Sequence, residues 1–104
     1  MAIYEAKDDN FDELIKDGVS IIDFYSTHCG PCRALLPTLL KIEGELPFIN
    51  LVKVNTDFCP ELADRFQIQS LPTLFLSKDG RTEPYDDTRN EDDLKQAIGS
   101  LLYD

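Results

Sequence analysis

Two cysteines separated by two residues, in the segment Cys29-Gly30-Pro31-Cys32, lie where a strand-forming run gives way to a helix-forming run. The run before them, residues 19–25, is rich in β-branched and aromatic residues, and the run after them has the apolar spacing of a helix. Free backbone N–H groups and the helix dipole favour negative charge at a helix start, so we expect Cys29 to ionise more readily than an ordinary thiol. The spacing therefore predicts a dithiol that forms and breaks a disulfide.

The same pair of cysteines has a second interpretation, as half of a zinc site. Tetrahedral zinc would need two more ligands, and the other soft candidates in the sequence are His28 and Cys59. His28 is adjacent to Cys29 and is poorly placed for the same tetrahedron. We therefore expect no metal and no other cofactor.

The chain has 104 residues, of which 42% are apolar, including six Phe and four Tyr. This is enough to build one hydrophobic core, so we predict a single domain over residues 1–104. Three cysteines with one close pair do not form the even, spread set of a secreted disulfide scaffold. The first residues show no basic segment followed by an apolar run, and no stretch approaches 18 apolar residues. We expect a cytoplasmic protein in a reducing compartment.

Acidic residues outnumber basic ones by 20 to 10, which gives a formal net charge of −10. This charge repels nucleic acids and anionic membranes, so we expect neither as a partner. It favours protein partners with positive patches, although solubility alone would also account for it.

Alternating strand and helix signals predict an α/β fold with a central mixed β-sheet flanked by helices on both faces. The predicted strands are residues 3–5, 19–25, 48–55, 73–77 and 82–85. Four helices are predicted. The first is capped by Asp8 or Asp9 and ends at Gly18, and the second begins near Pro31 and continues through Leu46. The third begins at Cys59-Pro60, and the fourth follows a cap on Asn90. An Asp79-Gly80 turn predicts a hairpin between the last two strands.

With these motifs in place, the chain resembles the thioredoxin family over nearly its whole length. The matching features are the Cys29–Cys32 dithiol, Asp23 six residues before it, Pro37 inside the helix, Lys53, and Leu71-Pro72-Thr73. The resemblance implies the thioredoxin fold and an enzyme that reduces protein disulfides by dithiol–disulfide exchange. It also implies electron transport to disulfide-containing protein substrates, a role in cell redox homeostasis, and recycling by a thioredoxin reductase.

Catalytic roles follow from this resemblance and from the position of each residue. Cys29 precedes the helix and is expected to be the more exposed nucleophile, whereas Cys32 resolves the mixed disulfide. Asp23 interrupts an apolar strand and is expected to accept a proton from Cys32, and Lys53 is expected to tune Asp23. The alternatives are an Asp23 on an exposed strand face and a Lys53 that points to solvent.

A substrate-binding surface is expected around the dithiol. The resemblance implies a cis bond before Pro72 that offers the backbone of Leu71 to an extended peptide, against the alternative of an ordinary trans proline. The expected binding residues are His28, Gly30, Pro31, Leu71, Pro72 and Thr73.

Two departures from the family pattern affect this surface. His28 replaces the usual tryptophan with a smaller imidazole, a group that ionises near neutral pH and could tune either the redox chemistry or docking. Residues 85–90 lack the glycine that usually precedes the last helix. We therefore expect retained chemistry with altered partners, including a non-standard reductase, in a monomeric protein.

The remaining cysteine and the alternative functions stay open at this point. Cys59 precedes a predicted helix, so we expect it to be at least partly exposed, either as a regulatory or dimer-forming thiol or as a free cysteine without a role. The alternative functions are a metal or iron–sulfur carrier and a non-catalytic interaction protein with the same fold. A glutaredoxin-like use of glutathione is a nearer rival, which Asp23 and Gly30-Pro31 disfavour.

Overall fold

Strands and helices alternate along the chain as the sequence predicts, in a computed structural model that describes residues 2–103. The strands are β1 (Ala2–Glu5), β2 (Val19–Tyr25), β3 (Ile49–Asn55), β4 (Thr73–Lys78) and β5 (Arg81–Tyr85). The helices are α1 (Phe11–Ile15), α2 (Gly30–Glu45), α3 (Pro60–Arg65) and α4 (Glu91–Leu102). No helix among residues 2–103 is long and apolar enough to cross a membrane.

All five strands form one mixed sheet in the order β1-β3-β2-β4-β5. The first three strands of that order are parallel, and β4 and β5 join in antiparallel pairing. Thr73 pairs with Phe24, so the residues that precede β4 lie beside the C-terminal end of β2. This arrangement brings the loop before β4 to the same sheet edge as the loop between β2 and α2.

Helices cover both faces of the sheet, which confirms the predicted fold class. Successive side chains of a β-strand point to opposite faces of the sheet, and those of the buried strand β2 do so here. Val19 and Ile21 pack with α2 and α4, whereas Ile22 and Phe24 pack with α1 and α3. Asp23 has the parity of Val19 and Ile21, so its side chain belongs to the face covered by α2.

Two turns and caps confirm local sequence signals. Asp79 and Gly80 have φ values of 50° and 88°, the left-handed pair that a two-residue type I′ hairpin needs. The Asn90 side chain accepts a hydrogen bond from the backbone N–H of Asp93 at 2.8 Å and so caps α4.

The predicted cap and end of α1 are wrong. Asn10 occupies the cap position and α1 ends at Ile15, before Gly18. The Asp8 carboxylate instead accepts a hydrogen bond from the backbone N–H of Leu62, at 3.0 Å, in the first turn of α3. The first N–H groups of any helix lack hydrogen-bond partners within that helix. Asp8 supplies an acceptor for one of these groups in α3, which is distant in sequence.

Candidate functional site

Cys29 and Cys32 form a disulfide at the start of α2, with their Cα atoms 5.2 Å apart. Cys29 is the N-cap residue and has an extended backbone, and its Sγ accepts a hydrogen bond from the backbone N–H of Cys32 at 3.2 Å. The sulfur thus takes the place of the oxygen that usually caps a helix. Cys29 is half-buried while Cys32 is buried, as expected.

The loop that leads into the dithiol is held at Thr27 by three side chains. Asp57 accepts a hydrogen bond from the Thr27 backbone N–H at 3.3 Å, and Asn55 donates one to the Thr27 hydroxyl at 3.1 Å. Arg33 donates from its guanidinium to the Thr27 carbonyl at 3.1 Å. These contacts fix the approach to Cys29. The two from Asp57 and Asn55 span 30 and 28 residues of sequence, so no local pattern indicates them.

Asp23 lies beneath the dithiol and is only 2% exposed, so the alternative of an exposed strand face is wrong. Its Oδ1 accepts no hydrogen bond from any residue in the range 2–103. Burial raises the pKa of Asp23 to about 6, partly opposed by the positive charge of Lys53. Asp23 and Cys32 line one cavity of about 230 Å³, which also touches Lys53.

Lys53 lies directly opposite Asp23 in the pairing of β2 with β3, as the proposed tuning role requires. Its side chain is 20% exposed and forms an ion pair with Glu5 at 3.7 Å. The ammonium also lies 4.6 Å from the centre of the Tyr25 ring, and the Tyr25 hydroxyl donates to Glu5 at 2.7 Å. Glu5 and Tyr25 are thus site residues that sequence analysis missed.

The expected substrate-binding residues occupy two neighbouring loops. His28, Gly30 and Pro31 are exposed at the start of α2. Pro72 is buried after a cis peptide bond, between the half-buried Leu71 and Thr73.

Arg89 is a further site residue that the sequence did not reveal. Its guanidinium donates a hydrogen bond of 2.7 Å to the carbonyl of Pro72. The same positive charge acts to lower the pKa of Asp23. Arg89 lies in the segment that departs from the family pattern, so the departure places a cation against the Pro72 loop.

Cys59 is buried, and the expectation of partial exposure is wrong. It is 2% exposed, and its thiol donates a hydrogen bond to the Ala6 carbonyl at 3.4 Å. Burial raises its pKa above the ordinary value for a thiol. A position before a helix does not fix the direction of the side chain, and here the packing of α3 turns the thiol inward.

Within residues 2–103, no group of three or more His, Cys, Asp or Glu residues has an arrangement that could hold a metal ion. Cys59 and the dithiol therefore do not combine into the tetrahedral site that a zinc interpretation needs.

Comparison with known proteins gives consistent results. The family model for thioredoxin matches residues 2–100. A thioredoxin from Staphylococcus saprophyticus is 41% identical over 87 residues, which are 83% of this chain and 82% of that protein.

Two solved structures are similar to this chain over nearly its whole length. The oxidized form of mitochondrial thioredoxin 3 from Saccharomyces cerevisiae superposes with a TM-score of 0.84 at 33% identity, covering 95% of both chains. A chain from a study of thiol resolution in yeast mitochondrial 1-Cys peroxiredoxin through the glutathione and thioredoxin systems also has a TM-score of 0.84, at 32% identity and 95% coverage of both.

Proposed function

This chain belongs to the thioredoxin family and is a thiol–disulfide oxidoreductase, and we propose that its protein-disulfide reductase activity divides between Cys29 as nucleophile and Cys32 as resolving thiol. The observation that carries this proposal is the capping geometry of the dithiol, in which the Cys29 sulfur receives the Cys32 backbone N–H at 3.2 Å. A donor in that position stabilises a thiolate more than a thiol. The metal-carrier and non-catalytic alternatives are not favoured.

The reaction begins from the reduced dithiol. The Cys29 thiolate attacks one sulfur of a substrate disulfide, so that a Cys29–substrate disulfide forms while the substrate S–S bond breaks. The second substrate sulfur leaves as a thiolate and takes up a proton. Cys29 is suited to this step because it is the more exposed of the two sulfurs.

Resolution of the mixed disulfide requires the buried thiol. Cys32 loses its proton and attacks Cys29, the Cys29–Cys32 disulfide forms, and the substrate departs with both of its sulfurs reduced. We assign the Cys32 proton to the Asp23 carboxylate, because both groups line the same cavity and Asp23 has a pKa of about 6. A cavity of about 230 Å³ has room for water to relay the proton.

The substrate peptide lies on the surface formed by the two site loops. The backbone of Leu71 and Pro72 offers hydrogen-bonding groups to an extended chain, and Thr73 begins the strand that follows. At Gly30 an added Cβ would meet nothing within 4 Å of this chain, so the space above it is open to a partner. His28 and Pro31 form the rest of this exposed rim.

A thioredoxin reductase of non-standard type supplies the electrons, and protein disulfides receive them. The replacement of tryptophan by His28 and the two acids Asp86 and Asp87 alter the docking surface and support this choice. The link to a peroxiredoxin system in a structural relative supports peroxidases among the acceptors. We also propose a monomer in the cytoplasm, where a free cysteine such as Cys59 stays reduced.

The assignment of Asp23 is tested with Asp23→Asn, with Asp64→Asn as a control for the same chemical change at an exposed site on α3. Insulin reduction at pH 7 should slow by at least about tenfold in Asp23→Asn. The rate at which iodoacetamide alkylates Cys29 should change much less, because Asp23 acts at Cys32. Wild-type turnover in Asp23→Asn would show that the carboxylate takes no part in proton transfer.

A further inference from the structure

Three charged residues form one row across the sheet. Glu5 of β1 pairs with Lys53 of β3, and Lys53 pairs in turn with Asp23 of β2. Because neighbouring residues in register share a face, the row runs acid, lysine, acid. The two carboxylates therefore compete for one ammonium group.

We propose that Glu5 is a positioning residue that draws Lys53 away from Asp23 and so keeps the Asp23 carboxylate basic enough to accept the Cys32 proton. The inference rests on the proposed role of Asp23 and extends it to a residue on the edge strand. Glu5 touches no reacting atom and acts through Lys53.

The contacts of Lys53 favour Glu5. The ammonium forms an ion pair with Glu5 Oε1 at 3.7 Å, while Glu5 Oε2 accepts the Tyr25 hydroxyl at 2.7 Å. The Tyr25 ring also lies 4.6 Å from the Lys53 ammonium. Tyr25 thus holds Glu5 by a hydrogen bond and contacts Lys53 through its ring, so the carboxylate that pairs with the lysine is fixed in place.

The position of the Lys53 charge affects how readily Asp23 ionises. Burial disfavours the ionised form of Asp23. If Lys53 paired with Asp23 alone, its positive charge would reverse much of that effect and make the carboxylate a weaker base. The charged and titratable groups that face Asp23 are Lys53 on β3, Glu5 on β1, Tyr25 on its own strand, Cys32 and Arg33 on α2, and Arg89 before α4. Lys53 and Arg89 favour the carboxylate, and Glu5 opposes them.

The test is Glu5→Gln, which removes the charge but keeps an oxygen that can accept the Tyr25 hydroxyl. The Glu5 side chain is 54% exposed, so the exchange leaves the core unchanged. The matched control is Glu13→Gln, which removes the same charge from an exposed residue of α1 that forms an ion pair with Lys16. The readout is the carbon-13 NMR titration of the Asp23 carboxyl in the full-length protein.

We expect Glu5→Gln to lower the proton-binding constant of Asp23 by about 1.5- to 5-fold, the range that an exposed ion pair allows. The acidic limb of the pH profile of insulin reduction should move to lower pH with it. In a Lys53→Met background, the effect of Glu5→Gln should shrink, because no shared ammonium remains. Glu13→Gln should leave the titration unchanged.

An Asp23 titration that does not move in Glu5→Gln would overturn the inference, and so would an equal shift in the Lys53→Met background. These outcomes differ from a failure of the proposed function, which shows as full turnover in Asp23→Asn. The titration of Asp23 is measured whether or not the carboxylate takes part in turnover.

Discussion

Asp23 and Lys53 lie opposite each other on adjacent strands, and the ion pair that Lys53 forms is with Glu5, at 3.7 Å. Asp23 is therefore a buried carboxylate whose nearest cation on the sheet is shared. Its burial and its raised pKa have a consequence for stability as well as for chemistry.

We expect Asp23→Asn to be more stable than the wild type at neutral pH. The pKa of Asp23 is raised from 3.8 to about 6 on folding, so the folded state binds this proton more tightly than the unfolded state does. The resulting stability is fully present below pH 3.8 and is lost as the pH rises through 6, and the loss approaches about 3 kcal/mol.

Urea unfolding of the oxidised proteins between pH 4 and pH 8 measures this difference. The free energies of unfolding of the two proteins should converge near pH 4 and separate across the window up to about pH 7. A difference that stays constant with pH would mean that ionisation of Asp23 is not its source.

Cys59 should react slowly in the folded protein. Its thiol is buried and bonded to the Ala6 carbonyl, so labelling needs a local opening of the structure. In the Cys29→Ser, Cys32→Ser double variant, we expect iodoacetamide to label Cys59 at least about tenfold more slowly than in the urea-unfolded chain.

The matched control adds Glu61→Cys and Cys59→Ser to that double variant, which moves the single thiol to an exposed neighbouring position on α3. That thiol should react at the same rate folded and unfolded. Rapid labelling of Cys59, or an oxidant-induced dimer that Cys59→Ser prevents, would support a regulatory role for Cys59. Either result would contradict the prediction that burial makes this thiol unreactive.

Features coded by adjacent residues were predictable from the sequence. The Asp79-Gly80 turn, the Asn90 cap and the dithiol at the junction of β2 and α2 depend on local backbone geometry, and the structure confirms each of them. The fold class followed from the same signals, because strands that alternate with helices bury a sheet between two helical layers.

Features that depend on register or on side-chain direction were not predictable. Asp8 or Asp9 was expected to cap α1, but Asn10 takes that position and Asp8 binds the first turn of α3, since either helix offers free N–H groups. Cys59 was expected to be at least partly exposed, but a residue next to a helix can face either way and this one is buried. The position of Glu5 beside Lys53 requires the pairing of β1 with β3, which no local pattern specifies.

We expect His28→Trp to improve the fit to a conventional thioredoxin reductase. His28 is exposed next to Cys29, and a tryptophan there restores the large apolar surface that most thioredoxins present. The KM of such a reductase for the oxidised protein should fall by at least about fivefold, which is the effect of roughly 1 kcal/mol at an interface.

The control for this experiment is Tyr103→Trp, at an exposed position beyond α4. The side chain of Lys78 donates hydrogen bonds to the carbonyls of Leu101 and Leu102, which places the end of α4 near the last residue of β4. Pro72 and the dithiol lie near the first residue of β4, so Tyr103 is remote from the dithiol. An equal gain in both variants, or no gain in His28→Trp, would remove the docking argument.

The division of labour between the two sulfurs is tested most directly by mass spectrometry of trapped intermediates. Reduced Cys29→Ser and Cys32→Ser are each mixed with a protein disulfide, quenched with acid, and digested to locate the mixed disulfide. If Cys29 attacks and Cys32 resolves, Cys32→Ser accumulates a disulfide from Cys29 to the substrate, while Cys29→Ser accumulates none and reduces no insulin. Equal trapping by both variants, or trapping on Cys32 alone, would contradict the account.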